Sequence, residues 1–105
     1  MAIVVYITCP EKDAERLSQQ ILEARLAACI NQVPQVISRY WWDGQIQKDI
    51  ESLLIVKTTV DALSELKECL KEWHPYDVPE IISLAIQDGS PAYLHWLHSE
   101  VGKKT

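Results

Sequence analysis

INQVPQVISRYWWDGQIQKDIESLLIVK, residues 30–57, is the stretch whose reading decides the fold. Asp43-Gly44 stands at its middle. A two-residue type I′ turn needs positive φ at both central positions, and Asp-Gly is among the pairs that supply it most readily. Residues 30–42 and 45–57 therefore read as the arms of one antiparallel hairpin. Ideal pairing sets Trp42 against Gln45, Trp41 against Ile46 and Ile37 against Ile50, and parity then gathers Tyr40, Trp42 and Glu51 on the opposite face. Pro34 cannot donate to a ladder, so the first arm bends there, at an edge or a bulge. Each arm is about a dozen residues, or roughly 40 Å, about twice the usual strand.

Upstream, residues 3–7 form a continuous apolar run that reads as a central strand buried on both faces. Thr8-Cys9-Pro10 breaks it, and Pro10 suits a helix entrance. Ala14, Leu17, Ile21, Ala24 and Ala28 then recur near a 3.6 period, with Glu15, Arg16, Gln19 and Glu23 between them, which predicts a helix. Downstream, Thr58 and Asp61 suggest a capping box for a second helix carrying Leu63, Leu66, Leu70 and Trp73. His74-Pro75 stops it. Pro79 opens a last strand over 80–87, Asp88-Gly89 turns, and Ser90-Pro91 starts a terminal helix with Leu94, Leu97 and Val101 inward. Strand, helix, strand, strand, helix, strand is the split pattern of ferredoxin-like folds. The expectation is a single α+β domain over residues 1–105: a ferredoxin-like βαββαβ sandwich with helices on one face of its sheet, a long central hairpin and a C-terminal helix.

One domain is what 105 residues accommodate. Ten Lys and Arg against fifteen Asp and Glu leave a net charge of −5, which argues against a nucleic-acid partner. Cys9, Cys29 and Cys69 are too far apart for a zinc knuckle and odd in number, which suits a reducing compartment. The N-terminal residues carry no basic leader, and no apolar stretch is long enough for a membrane span. The expected setting is cytoplasmic and membrane-free, either as made or after removal of an organellar transit peptide. An acylphosphatase-like enzyme would need an arginine in a Gly-rich phosphate loop. Arg16, Arg25 and Arg39 lie in no such loop, and the only glycines are Gly44, Gly89 and Gly102. An RNA-recognition sheet would be basic, and an iron–sulfur ferredoxin needs a cysteine cluster.

The hairpin is longer than a small sandwich uses. Exposed aromatic edges invite pairing with other chains, and closed symmetry limits its growth. The ribbon is expected to join copies of the chain, with Tyr40, Trp41 and Trp42 as interface anchors. His74 is the leading metal candidate, because neutral imidazole ligates Cu(II) and Zn(II). The competing role is a helix-terminal histidine on the last carbonyls. His95 and His98, three apart on the last helix, make a weaker chelating pair.

Several segments together resemble the CutA divalent-ion tolerance family. They are residues 24–31 (ARLAACIN), 40–44 (YWWDG), Glu51 with Lys57-Thr58, residues 74–81 (HPYDVPEI) and residues 93–96 (YLHW). The resemblance runs from Ile3 to about Leu97. It implies a homotrimer joined through the hairpins, a non-catalytic role in tolerance to divalent cations, and weak binding of copper or another divalent cation without a required cofactor. Some members pair histidines at the end of the second helix and place a cysteine in the first strand; here those positions hold Trp73 and Ile7. Cys29, Glu51, Lys57, Tyr76 and Glu80 match shared family positions and are the expected ligand-binding set. The alternative is a PII-like regulatory or amino-acid-sensing trimer holding a small ligand in inter-subunit clefts.

Overall fold

Alternation along residues 2–10 sets which way the sheet faces. Ile3, Val5, Ile7 and Cys9 are buried, while Val4, Tyr6 and Thr8 between them are only half-buried. The first strand is therefore central but fully covered on one face alone, where burial on both faces was expected. In the computed structural model, which describes residues 1–103, it is β1 (Ala2–Pro10). The chain continues through α1 (Glu11–Glu23), β2 (Cys29–Trp42), β3 (Gln45–Thr59), α2 (Val60–Trp73), β4 (Ile81–Ala85) and α3 (Pro91–Glu100). One antiparallel sheet has the order β2-β3-β1-β4, as the split βαβ pattern requires.

The core lies between one face of this sheet and two helices. Val5, Ile7, Leu54 and Val56 meet Ala14, Leu17 and Ile21 of α1 and Leu66 and Leu70 of α2. Two boundaries differ from expectation. Pro10 pairs with Glu51 and serves as the N-cap of α1, so β1 is not broken at Thr8. Helix α1 stops at Glu23 because Arg25 turns to φ 59°, and Ala24 and Ala28 fall outside it. The Thr58 capping box does not form. Thr58 stays in β3 and donates its hydroxyl to the Leu26 carbonyl at 2.6 Å, leaving Thr59 as a cap without a side-chain bond. Tertiary pairing extended the strand at the helix's expense. Strand β4 is shorter than the 80–87 expected.

The hairpin keeps the register read from the turn: Trp42 faces Gln45, Trp41 faces Ile46 and Ile37 faces Ile50. Asp43 and Gly44 both have positive φ. The ladder slips between Val33 and Val36, so the bend at Pro34 is a β-bulge. Gln35 takes a positive φ in it, and its N–H donates to the Glu11 carboxylate. No atom lies within 4 Å of a Cβ built on Gly44, whose φ is +75°. Gly44→Ala is expected to cost about 1 kcal/mol through backbone strain alone, measurable by urea unfolding.

Helix α3 departs from the expected layering. Leu97 is fully buried yet lies outside the core formed by α1 and α2. Tyr93 reaches the Cys29 thiol, and pairing parity puts Cys29 on the face opposite the core. Thus α3 covers part of that second face. The Ser90 hydroxyl caps it, accepting from the Tyr93 N–H at 3.2 Å. Its C-terminal end is tied back by Arg25, which pairs with Glu100 at 3.3 Å, and by the Gly102 N–H donating to the Arg25 carbonyl.

Candidate functional site: the cleft beside the 74–80 loop

Helix α2 ends because Pro75 pushes His74 into extended geometry, with ψ 136°. Arg16 holds that end in place: its guanidinium donates to the Trp73 carbonyl at 3.0 Å. His74 is buried, with both ring nitrogens engaged. Nε2 lies 2.8 Å from the Thr8 carbonyl oxygen, and Nδ1 is 3.1 Å from the Tyr76 N–H. A carbonyl only accepts and an amide N–H only donates, so Nε2 carries the proton and Nδ1 keeps its lone pair. Pairing of β1 with β4 stops at Ile7, and His74 takes up the carbonyl just beyond it. The imidazole therefore staples the 74–80 loop to β1, and its contact is with β1 rather than with the last carbonyls of its own helix.

The staple aims Tyr76. Its ring centroid lies 4.8 Å from that of His74, and its hydroxyl donates to Glu51 Oε2 at 2.8 Å. Burial and this hydrogen bond push the Tyr76 hydroxyl pKa well up, so it remains a donor. Glu51 is only 6% exposed and has no Lys or Arg partner among the described residues. Tyr40, on the same face of the hairpin, donates its hydroxyl to Asp49, which raises the Tyr40 pKa. Tyr40, Trp42, Glu51, Tyr76, Asp77 and Glu80 line an open cleft of about 850 Å³.

Cys29 and Lys57 do not join this site. They are cross-strand partners at the other end of β3, six residues from Glu51 and thus roughly 20 Å away. The Lys57 ammonium there donates to the Asn31 side chain, and Tyr93 sits against Cys29. The expected ligand-binding set thus divides into Glu51, Tyr76 and Glu80 at one end and Cys29 and Lys57 at the other. Thr8 contributes a backbone carbonyl, Asn31 bonds Lys57 and Tyr93 of α3 meets Cys29, none of which sequence reasoning selected as site residues. Asp49 was within reach of it: it lies two residues beyond Gln47, the partner of Tyr40, and so shares the Tyr40 face.

A family model described as "CutA1 divalent ion tolerance protein" matches residues 3–100. The chain belongs to the CutA1 divalent ion tolerance family. It is 50% identical over 97 residues to the chloroplastic protein CutA 1 of rice (Oryza sativa), a match covering 91% of this chain and 55% of that one. The chain thus spans about half the length of that relative. The divalent-cation tolerance protein CutA of Thermus thermophilus is 47% identical, over 97% of this chain and all of its own. A solved Thermus thermophilus Cut A1 structure superposes with a TM-score of 0.94 at 48% identity, covering 97% and 100% of the two chains. The periplasmic CutA of Archaeoglobus fulgidus gives 0.92 at 36% identity, covering 96% and 99%.

Fit of a divalent cation is decided by donors, and the described residues of one chain do not gather them. Among the described residues no three His, Cys, Asp or Glu side chains stand close enough to hold a metal. His74, the expected ligand, has both nitrogens committed, and His95 and His98 are exposed on α3 without a third group. Cys9 is buried, and burial together with the charges of Asp13 and Glu51 pushes its thiol up to about 11. Its thiolate fraction at pH 8 is then about one in a thousand. Alkylation of the native protein at pH 8 is expected to mark the half-buried Cys29 and Cys69 and to leave Cys9 unmodified, as peptide mass mapping would read.

Proposed function

We propose that this CutA1 protein works in divalent-cation tolerance as a non-catalytic homotrimer, with the cleft of Glu51, Tyr76 and Glu80 as its ligand-binding surface. Copper or another divalent cation is bound weakly, through donors that one chain alone does not assemble. The observation that carries the reading is the bare hairpin. Ile37, Trp41, Ile46 and Ile50 share one of its faces at 55–72% exposure, beyond the reach of the core. So large an apolar strip on an unpaired ribbon favours closure by other copies. We place the protein in the cytoplasm. The rice relative is named chloroplastic and the Archaeoglobus structure periplasmic, so fractionation of the source cells is the test of that placement. Among the described residues no helix is long and apolar enough to cross a membrane.

Sedimentation equilibrium at micromolar concentration tests the assembly. The expected species has three times the 12.0 kDa chain mass. A 12.0 kDa particle would overturn the reading. Titration with Cu(II) is expected to give weak binding that His74→Gln leaves unchanged.

A further inference from the structure

Glu51 is the one carboxylate of the cleft that is more than nine-tenths buried, and no Lys or Arg among the described residues pairs with it. Oε2 accepts from Tyr76; Oε1 has no hydrogen-bond donor among the described residues. Oε1 is not among the buried unpartnered oxygens and so opens to the cleft, where a carboxylate with little of its surface in water gains from a cation delivered to it. The cleft supplies more negative charge at Asp77 and Glu80, and aromatic rings at Tyr40, Trp42 and Tyr76. Aromatic faces attract cations and also offer apolar area. Arg39 reaches the rim, but register places it on the opposite hairpin face, with Ile37 and Trp41.

These features discriminate among cations. A divalent metal ion requires several oxygen or nitrogen ligands around one point, which the described residues of one chain do not bring together here. An alkylammonium ion needs one or two acceptors for its N–H groups and an apolar wall for its carbon chain, in a volume of a few hundred cubic ångströms. The cleft meets those needs. We infer that this cleft takes a primary organic ammonium ion, with its nitrogen at Glu51 Oε1 and its hydrocarbon part against Trp42, Tyr40 and Tyr76. The assignment rests on the reading of the cleft as ligand-binding, and it adds the chemical class of the ligand.

Isothermal titration of the full chain at low salt and pH 7 with 2-phenylethylammonium chloride tests it. The uncharged 2-phenylethanol and the anion phenylacetate serve as shape-matched controls. Saturable binding of the ammonium is expected, with binding of both controls at least tenfold weaker. Glu51→Gln keeps an oxygen to accept from Tyr76 but removes the charge, and should weaken ammonium binding at least tenfold. Trp42→Leu changes a ring half exposed in the single chain and, with the assembled mass checked by sedimentation, should weaken it severalfold, so the test survives if Glu51→Gln misfolds. If 2-phenylethanol or phenylacetate binds as well as the ammonium, the cleft is a ligand site but the cation assignment is wrong. If no probe saturates, the ligand-binding reading fails as well. If Glu51→Gln instead dissociates the assembly while the probe does not bind, the carboxylate is satisfied by a cation of a second copy, and the inference is overturned.

Discussion

Trp41→Glu combined with Ile46→Lys is expected to turn the proposed trimer into a folded monomer. The two residues are direct cross-strand partners, exposed at 72% and 64%. An opposite-charge pair at facing positions supports the hairpin itself, so the ribbon keeps its register. What is lost is the apolar strip that other copies would bury. Each large side chain contributes about 2 kcal/mol on burial, and with two per chain in three chains the loss is on the order of 10 kcal/mol. Burying the new charges would add to it. Sedimentation should show the single-chain mass, while far-UV circular dichroism stays unchanged. An unaltered assembly would mean that this strip is not the contact, and the proposed closure through hairpins would have to be abandoned.

His74→Ala should be the most damaging single change near the cleft. It removes the N–H donor from the Thr8 carbonyl, strips the Tyr76 N–H of its acceptor, and leaves a void where a buried ring stood. A buried polar group left unpaired costs about 1–3 kcal/mol, and the lost ring packing adds to this. The expected destabilisation is about 3–5 kcal/mol in urea unfolding at fixed protein concentration. His74→Gln, whose amide offers one donor group and one acceptor, should recover part of the loss. A surface or metal-ligand histidine would give the opposite pattern: little change in stability and a loss of Cu(II) uptake. Observing that pattern would remove the staple.

The staple also explains how far the sequence could be read. Asp43-Gly44 announced the turn, and strand periodicity then settled the pairing of Trp41 with Ile46 and the face shared by Tyr40 and Glu51. Pro34 announced the bulge by lacking an N–H. The helix stripes from Leu17 to Ile21 and from Leu66 to Leu70 form the helical side of the observed core. Thr58 misled because a capping pattern and a strand end compete for the same residue, and pairing with Ile3 across the sheet decided the contest. His74 misled because ligand chemistry and structural hydrogen bonding use the same two nitrogens. Nothing local distinguishes a free imidazole from one held between Thr8, sixty-six residues away, and Tyr76.

By itself, then, the sequence determined what short-range physics governs: element order, hairpin register, the bend, the acidic balance and, through its shared segments, the CutA1 family. Tertiary structure alone decided which residues share a site. Glu51 and Lys57 lie in one strand and on one face, yet rigid strand rise holds them roughly 20 Å apart. Glu51 and Tyr76 are twenty-five residues apart along the chain and touch. Helix α3 could choose its face only once the sheet existed with one side already covered. Such placements depend on long-range packing and on which buried polar groups find partners, and no window of neighbouring residues contains that information.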